Sequence, residues 1–73
     1  MDRRTVRSRS VASAGYDERS RTLEVEFTNG SVYQYSDVPL GVYEQLLSAE
    51  SIGRFVNQQI RNLYRYVRMP DQP

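Results

Sequence analysis

The chain contains no lysine, no histidine and no cysteine among its 73 residues. Without cysteine, disulfides and thiolate zinc sites are excluded, and without histidine a transition-metal site would have to use carboxylates alone. We therefore expect no metal and no cofactor. Because no histidine is present to activate a serine, the sequence offers no nucleophile–base pair and does not indicate an enzyme.

Long apolar runs are also missing. No segment approaches the roughly 20 apolar residues that a membrane-spanning helix needs, so we expect no membrane contact. The arginine-rich residues 1–10 are not followed by a hydrophobic stretch, which argues against a secretory signal and favours the cytoplasm. With 38% apolar residues, the composition is typical of one small soluble domain with a thin core.

Positive charge comes from arginine alone and is concentrated towards the two ends of the chain. Residues 1–10 carry four arginines and one aspartate, for a net charge of +3. Residues 11–50 carry seven acids and two arginines, for −5, and residues 51–70 carry four arginines and no acid, for +4. The total of +1 does not indicate nucleic-acid binding, so that argument depends on how the charge is distributed.

Alternation of apolar and polar residues predicts a sheet in the first half of the chain. Residues 8–16 are expected to form a first strand, residues 23–28 a second and residues 32–35 a third. The pair Asn29-Gly30 predicts a hairpin turn between the second strand and the third. Residues 1–7 are expected to be a basic flexible tail.

The length of that turn decides which face the tyrosines Tyr33 and Tyr35 occupy. A two-residue loop would pair them with Glu26 and Glu24 on the polar face. A three-residue loop would put Gly30 in a left-handed bulge position. This second register gathers five residues on one face, namely Leu23, Val25, Phe27, Tyr33 and Tyr35. We prefer it because it exposes less apolar surface, so both tyrosines are expected in the core and both glutamates in solvent.

Two helices are predicted after the sheet. Asp37 is expected to cap the first, which has apolar residues at helical spacing over residues 39–47. Ser51 is expected to cap a second helix that runs to about Val67. The apolar stripe of this second helix consists of Ile52, Val56, Ile60, Leu63 and Val67.

Together these elements predict an α+β fold in one domain over residues 8–67. A three-stranded antiparallel β-meander is followed by two helices packed on one face, in the order βββαα. Residues 68–73, which include Pro70, are expected to be a C-terminal tail.

The second predicted helix carries the clearest indication of function. At about 100° per residue, its four arginines fall on one stripe opposite the apolar stripe: Arg54, Arg61, Arg65 and Arg68. Guanidinium groups fit phosphate and carboxylate geometry, so the stripe and the basic tail predict contact with RNA or another polyanion. The alternative interpretation is an ordinary solvated helix face.

Arg54 lies in the first turn of that helix. The N–H groups after Ser51 would face the same space, and Gly53 would let an anion approach closely, so one interpretation is a phosphate or carboxylate pocket. The alternative, which we prefer, is that Arg54 pairs with Glu50 or Asp37, while Gly53 allows close packing of the helix on the sheet.

Aromatic side chains offer a second kind of contact. Tyr33, Tyr35 and Tyr64 would stack on RNA bases if exposed, although core packing is the preferred role. Exposed Tyr64 or Tyr66 would instead anchor a protein partner. A protein-interaction module, monomeric or weakly homodimeric and accessory to a larger enzyme, is therefore the competing functional class. Asn57 is expected to be a buried amide.

The order of these features resembles the KTSC family, named for a domain at the C-terminus of some lysyl-tRNA synthetases that also occurs as stand-alone bacterial proteins. The similar positions are Gly15-Tyr16-Asp17, Leu23/Val25/Phe27, Gly30, Tyr33-Gln34-Tyr35, Val38-Pro39, Tyr43, Ser51-Ile52-Gly53-Arg54-Phe55, Asn57, Ile60-Arg61 and Tyr64. The resemblance covers roughly residues 8–66. It implies a compact module with a tendency toward nucleic acid, and it supplies no catalytic residues.

Overall fold

A computed structural model describes residues 1–70 of the chain as a five-stranded antiparallel sheet with two helices. The elements are β1 (Arg4–Thr5), β2 (Val11–Asp17), β3 (Thr22–Phe27), β4 (Val32–Tyr35), α1 (Leu40–Ser48), α2 (Ile52–Gln59) and β5 (Tyr66–Arg68). The strands lie across the sheet in chain order, with both helices inserted before the last strand. The α+β class is confirmed, but the predicted three strands and βββαα order are wrong.

The β3–β4 hairpin has the three-residue register. Leu23 lies opposite Tyr35 and Val25 lies opposite Tyr33. Gly30 has a φ of 95°, a left-handed conformation that glycine adopts without steric cost. The preferred register is therefore confirmed, and it gives β3 and β4 a common apolar face.

The core lies between this face and the two helices. Its buried apolar side chains are Val11, Ala14, Leu23, Val25, Tyr35, Val38, Leu46, Ile52, Val56 and Ile60. Tyr16 fixes the chain that leads into α1, because its ring stacks on Tyr43 at 5.3 Å between centroids and its hydroxyl donates to the Val38 carbonyl at 2.5 Å. Neither helix within residues 1–70 is long and apolar enough to cross a bilayer.

The two helix starts differ from each other. Ser51 caps α2 as predicted, since its Oγ accepts from the N–H of Arg54 at 3.2 Å. Asp37 does not cap α1, which begins after Pro39 without a side-chain cap. The backbone of Asp37 is left-handed, with a φ of 58°, and is used to turn the chain out of β4. The predicted Asp37 cap is therefore wrong.

The second helix ends at Gln59 and does not continue to Val67. The chain instead returns to the sheet, where Tyr66 of β5 lies opposite Tyr35 of β4. Without β5 the edge of β4 would expose a row of unpaired N–H and C=O groups, and aromatic and β-branched residues favour a strand there. Leu63 and Val67, predicted to be buried on the helix, are 62% and 61% exposed.

The opposite edge of the sheet is covered by residues that were expected to form a tail. Arg4 of β1 lies opposite Ala14 of β2. Just before β1 the chain passes so close to β2 that a Cβ at Gly15 would collide with the backbone oxygen of Asp2. Part of the segment 1–7 thus belongs to the sheet. At the other end, Arg68 completes β5, and residues 71–73 of the predicted tail lie outside the described residues.

The helix-free face of the sheet holds a buried charge. Glu24, expected in solvent, is 6% exposed. It accepts from Arg3 Nη1 at 2.5 Å and from Gln34 Nε2 at 2.7 Å. Arg3 Nε also donates to Ser13 Oγ at 2.9 Å, and Ser13 donates to Glu26 at 2.8 Å. The solvent-facing prediction for Glu24 is wrong because Arg3 lies over it.

Tyr35 is a buried core residue that also carries an ionisable group, its phenol. Its ring is buried between β3, β5 and the helices. Burial raises the pKa of the Tyr35 phenol above its ordinary value of 10.0, although the nearby Arg61 guanidinium acts in the opposite direction. The neutral phenol is therefore the form that the folded state favours.

Substitution of Gly30 by alanine should lower the free energy of unfolding by about 1 kcal/mol, because the left-handed backbone strains an L-residue. No atom lies within 4 Å of the added Cβ, so the cost is conformational. Gly41 is equally unobstructed but lies in α1, where Gly41→Ala should raise stability by about 0.5 kcal/mol. Urea unfolding followed by circular dichroism measures both, and changes of the same sign would contradict this reading.

Substitution of Arg3 by alanine should lower the free energy of unfolding by about 2 kcal/mol, because Glu24 stays buried without its cation. Arg4→Ala is the control, since Arg4 is exposed and forms no ion pair within residues 1–70. It should change stability by less than about 0.5 kcal/mol. Equal losses in the two variants would show that the ion pair contributes nothing specific.

Stability should fall at alkaline pH because of Tyr35. A raised pKa in the folded state means that this contribution is complete below about pH 10 and is lost as the pH rises to the folded-state pKa. In that window wild type should lose up to about 1.4 kcal/mol per pH unit relative to Tyr35→Phe. Urea midpoints of both proteins across the alkaline range measure this, and parallel curves would refute it.

Candidate functional site

Three segments meet at one end of the sheet: the residues before β2, the β3–β4 turn and the start of α2. Thr28 of the turn joins the first two segments. Its N–H donates to the Ser10 carbonyl at 2.9 Å, and its hydroxyl donates to the Arg9 carbonyl at 3.0 Å. Ser8 Oγ in turn accepts from the N–H groups of Ser10, at 3.3 Å, and Val11, at 3.2 Å. The residues before β2 are therefore held in one place.

The third segment comes close because Gly53 has no side chain. A Cβ at this position would collide with the hydroxyl of Ser10. Gly53 thus allows α2 to pack closely on the segment before β2. This packing brings Arg7 and Arg9, which flank Ser8, next to Arg54 on α2.

We refer to the depression between these segments as the basic groove. It is lined by the exposed arginines Arg7, Arg9 and Arg54, and its open cavity measures about 570 Å³. One acid, Glu50, also lines it, so three guanidinium groups face one carboxylate. Within residues 1–70, none of the three arginines forms an ion pair, and the predicted pairing of Arg54 with Glu50 or Asp37 is not observed.

The backbone N–H groups at the start of α2 contribute less to the positive charge of the basic groove than the arginine side chains do. The N–H of Arg54 donates to Ser51 Oγ, so one of the amide groups expected to face an anion is already occupied. The side chain of Arg54 has no hydrogen-bond partner within the described residues. The positive charge of the groove therefore lies on the guanidinium groups, which are free to reorient toward a ligand.

The four arginines predicted to share a helix face are separated in the structure. Arg54 lies in α2, whereas Arg61 lies in the turn that follows and donates to Asn57 Oδ1 at 3.2 Å. Arg65 is in the connection to β5, and Arg68 is in β5 itself. The arginine-lined helix is therefore wrong, because the helix stops before the second arginine. Asn57, predicted to be buried, is exposed.

A second depression, the aromatic groove, lies beside the basic groove. It is lined by Phe27, Tyr33 and Arg61 together with polar residues of the β3–β4 turn, and it measures about 230 Å³. Phe27 and Tyr33 are half-buried and meet edge to face, with 5.6 Å between ring centroids. Ser10 lines both grooves, and the Arg61–Asn57 hydrogen bond also connects their walls.

The tyrosines proposed as ligand contacts lie in different environments. Tyr33 lines the aromatic groove, and its ring lies 5.4 Å from that of the exposed Tyr66. Tyr35 is 1% exposed and cannot present its ring to a ligand. Tyr64 is half-buried and packs against the core. Core packing is thus confirmed for Tyr35, while Tyr33 is shared between the core and the groove.

The sequence pattern did not single out Arg7, Arg9 or Phe27 as site residues. Arg7 belonged to the expected tail and Arg9 to the expected first strand, and no local pattern shows that this segment docks on Gly53. Phe27 was assigned to the core by alternation alone. Its place at the last position of β3, where a turn leaves one side of the ring uncovered, is the signal that would have indicated a groove.

The helix-free face of the sheet differs from the two grooves. A depression there is lined by Arg3, Glu24 and Glu26 together with residues of the β3–β4 turn and residues that follow β5. Acids and arginine are mixed on this face, and Arg3 already pairs with Glu24. Within residues 1–70, no three carboxylates lie close enough together to share a metal ion. The unpaired arginines of the basic groove are thus separated from the paired charges of this face.

Comparison with known proteins gives a family and a structural neighbour. Residues 7–68 match the model of the family described as the KTSC domain. The crystal structure of a KTSC domain protein from Yersinia pestis superimposes with a TM-score of 0.89 at 34% sequence identity. That alignment covers 94% of this chain and 97% of the Yersinia chain.

Relatives by sequence occur in two settings. An uncharacterized protein of Stutzerimonas stutzeri (strain A1501) is 44% identical over 70 residues, which are 94% of this chain and 99% of that protein. The lysine–tRNA ligase of Trichormus variabilis is 39% identical over 54 residues, which are 74% of this chain but only 10% of that enzyme. The chain is therefore similar both to a whole small protein and to a short part of a long enzyme.

Proposed function

The chain belongs to the KTSC domain family, and we propose that it is a small, non-enzymatic module that binds RNA. In this proposal the basic groove binds the phosphate backbone through Arg7, Arg9 and Arg54. Arg61, next to the groove, binds the following stretch of the strand. The proposal concerns binding alone, and no residue is assigned a catalytic role.

The observation that carries the proposal is the convergence of unpaired arginines from two distant parts of the chain. Arg7 and Arg9 come from the segment before β2, and Arg54 comes from α2. Three guanidinium groups beside a single carboxylate, that of Glu50, leave an excess of positive charge that a bound anion would neutralise. Guanidinium forks also match the geometry of phosphate oxygens. A polyanion is therefore the ligand class that fits the groove best.

The similarity to a lysine–tRNA ligase supports the proposal that the polyanion bound by this chain is RNA. The name of that enzyme states that it acts on a transfer RNA, and the part similar to this chain is a tenth of its length. Similarity to so short a part of the enzyme gives no reason to assign the ligase reaction to this chain. A contribution to holding the RNA is a role that such a part can perform on the enzyme and also on a free-standing protein.

A second candidate function is contact with a protein partner or a second copy of the chain. It is supported by the exposed apolar side chains of Leu63, Tyr66 and Val67 on and before the edge strand β5. Sedimentation velocity at low and high salt tests it. Self-association that is insensitive to salt and lost in Val67→Glu would support it, whereas a monomer at every concentration would exclude a homodimer.

Substitution of Arg54 by glutamine should weaken the binding of a short labelled single-stranded RNA several-fold at low salt. The slope of log affinity against log salt should decrease by about 0.7 to 1, because one phosphate contact is lost. Arg9→Gln should have the same effect. Fluorescence anisotropy titrations at several salt concentrations measure both quantities.

Arg19→Gln is the matched control for this experiment. It removes the same charge from an exposed turn at the other end of the sheet, between β2 and β3, where Arg19 contacts neither groove. It should leave the salt slope unchanged. Equal effects of Arg19→Gln and Arg54→Gln would show that binding depends only on the net charge of the protein. No binding at high micromolar protein would refute the proposal.

A further inference from the structure

We propose that the aromatic groove holds one unpaired nucleobase, so that the domain prefers single-stranded RNA over duplex RNA. This inference rests on the proposed function, since it describes what lies next to the phosphates bound in the basic groove. It adds a base-binding pocket, made by Phe27, Tyr33 and Arg61, to a surface otherwise defined by charge.

The rings in the groove are fixed by their neighbours. Tyr33 meets Phe27 edge to face, at an interplanar angle of 89°, and lies 6.3 Å from the buried Tyr35 and 5.4 Å from Tyr66. A ring held on several sides loses little conformational freedom when a ligand packs against it. Every base has a flat π-face, and stacking on an aromatic ring is the common way in which proteins hold unpaired bases.

The rim of the groove supplies hydrogen-bonding groups that suit a base edge. Asn29 Oδ1 accepts from the N–H of Ser31 at 3.0 Å and from its hydroxyl, which fixes the side chain of Asn29. The amide nitrogen of Asn29 donates no hydrogen bond within the described residues. Arg61 uses one of its five N–H donors on Asn57, which leaves the others for a base or a phosphate.

The size and position of the aromatic groove favour one base of an RNA strand whose other nucleotides lie outside the groove. Its volume of about 230 Å³ is below the range of about 300–1,000 Å³ that holds drug-sized ligands. It adjoins the basic groove at Ser10, and Thr28 in its wall donates to the carbonyl of Arg9. A strand whose phosphates lie along Arg9 and Arg54 would therefore bring a base to the rings. Bases stacked inside a duplex cannot enter.

Three labelled RNA ligands with the same number of phosphates test this inference: a single strand, a duplex of half its length, and a single strand in which the bases are replaced by abasic sites. We expect the intact single strand to bind about five-fold or more tightly than the other two, the lower limit of what base stacking contributes. An abasic strand that binds as tightly as the intact one would overturn the inference and leave phosphate binding standing. Failure of all three to bind would overturn both.

Variants separate the two grooves. Tyr33→Leu should remove the preference for the intact strand and keep the salt slope, whereas Arg54→Gln should reduce the slope and keep the preference. Because Tyr33 also packs in the sheet, the wild-type complex provides a second readout by NMR. Contacts between base protons and the ring protons of Phe27 or Tyr33 are expected, and base contacts confined to other residues would contradict the pocket.

Discussion

The pairing of β5 with the open edge of β4 is the interaction on which the placement of charge depends. It draws the chain out of its helix after Gln59 and leads it back to the sheet. A helix extended to Val67 would keep four arginines on one solvent-facing stripe and leave β4 with an unpaired edge. Because the sheet gains its fifth strand, the arginines are divided between α2, a turn and an edge. One of them, Arg61, is thereby left beside the rings of β3 and β4.

The features that the sequence predicts correctly are those decided within a few residues of the chain. Gly30 sets the hairpin register because one left-handed residue determines how many residues the turn contains. Ser51 caps α2 because the bond from its hydroxyl spans only three residues. The apolar periodicity of α2 correctly predicts a buried Val56 but fails at Leu63. There the apolar spacing continues in the sequence, although the helix has already ended. The competing strand pairing involves residues far apart in sequence, which a periodicity cannot represent.

The surroundings of Glu24 illustrate the same limit on the other face of the sheet. Alternation along β3 correctly places this side chain opposite the core, yet the face it occupies is covered by Arg3. The approach of Arg3 depends on Gly15, which allows the chain at Asp2 to cross the sheet closely. Gly53 serves the same purpose for the basic groove, where it admits Ser10. In both places the missing side chain is visible in the sequence, but the segment that fills the space is not.

The proposed RNA contacts have different consequences for a small protein and for a short part of a larger enzyme. In the proposed mode of binding Arg7, Arg9 and Arg54 reach few phosphates, so the electrostatic part of the RNA affinity is modest and its dependence on salt is shallow. Attached to a larger protein that also binds the RNA, such a weak contact becomes intramolecular and gains from the high effective concentration. A free-standing chain has no such tether. In the proposal it depends more on contacts that salt does not screen, and the proposed stacking of a base against Tyr33 and Phe27 would be a contact of that kind.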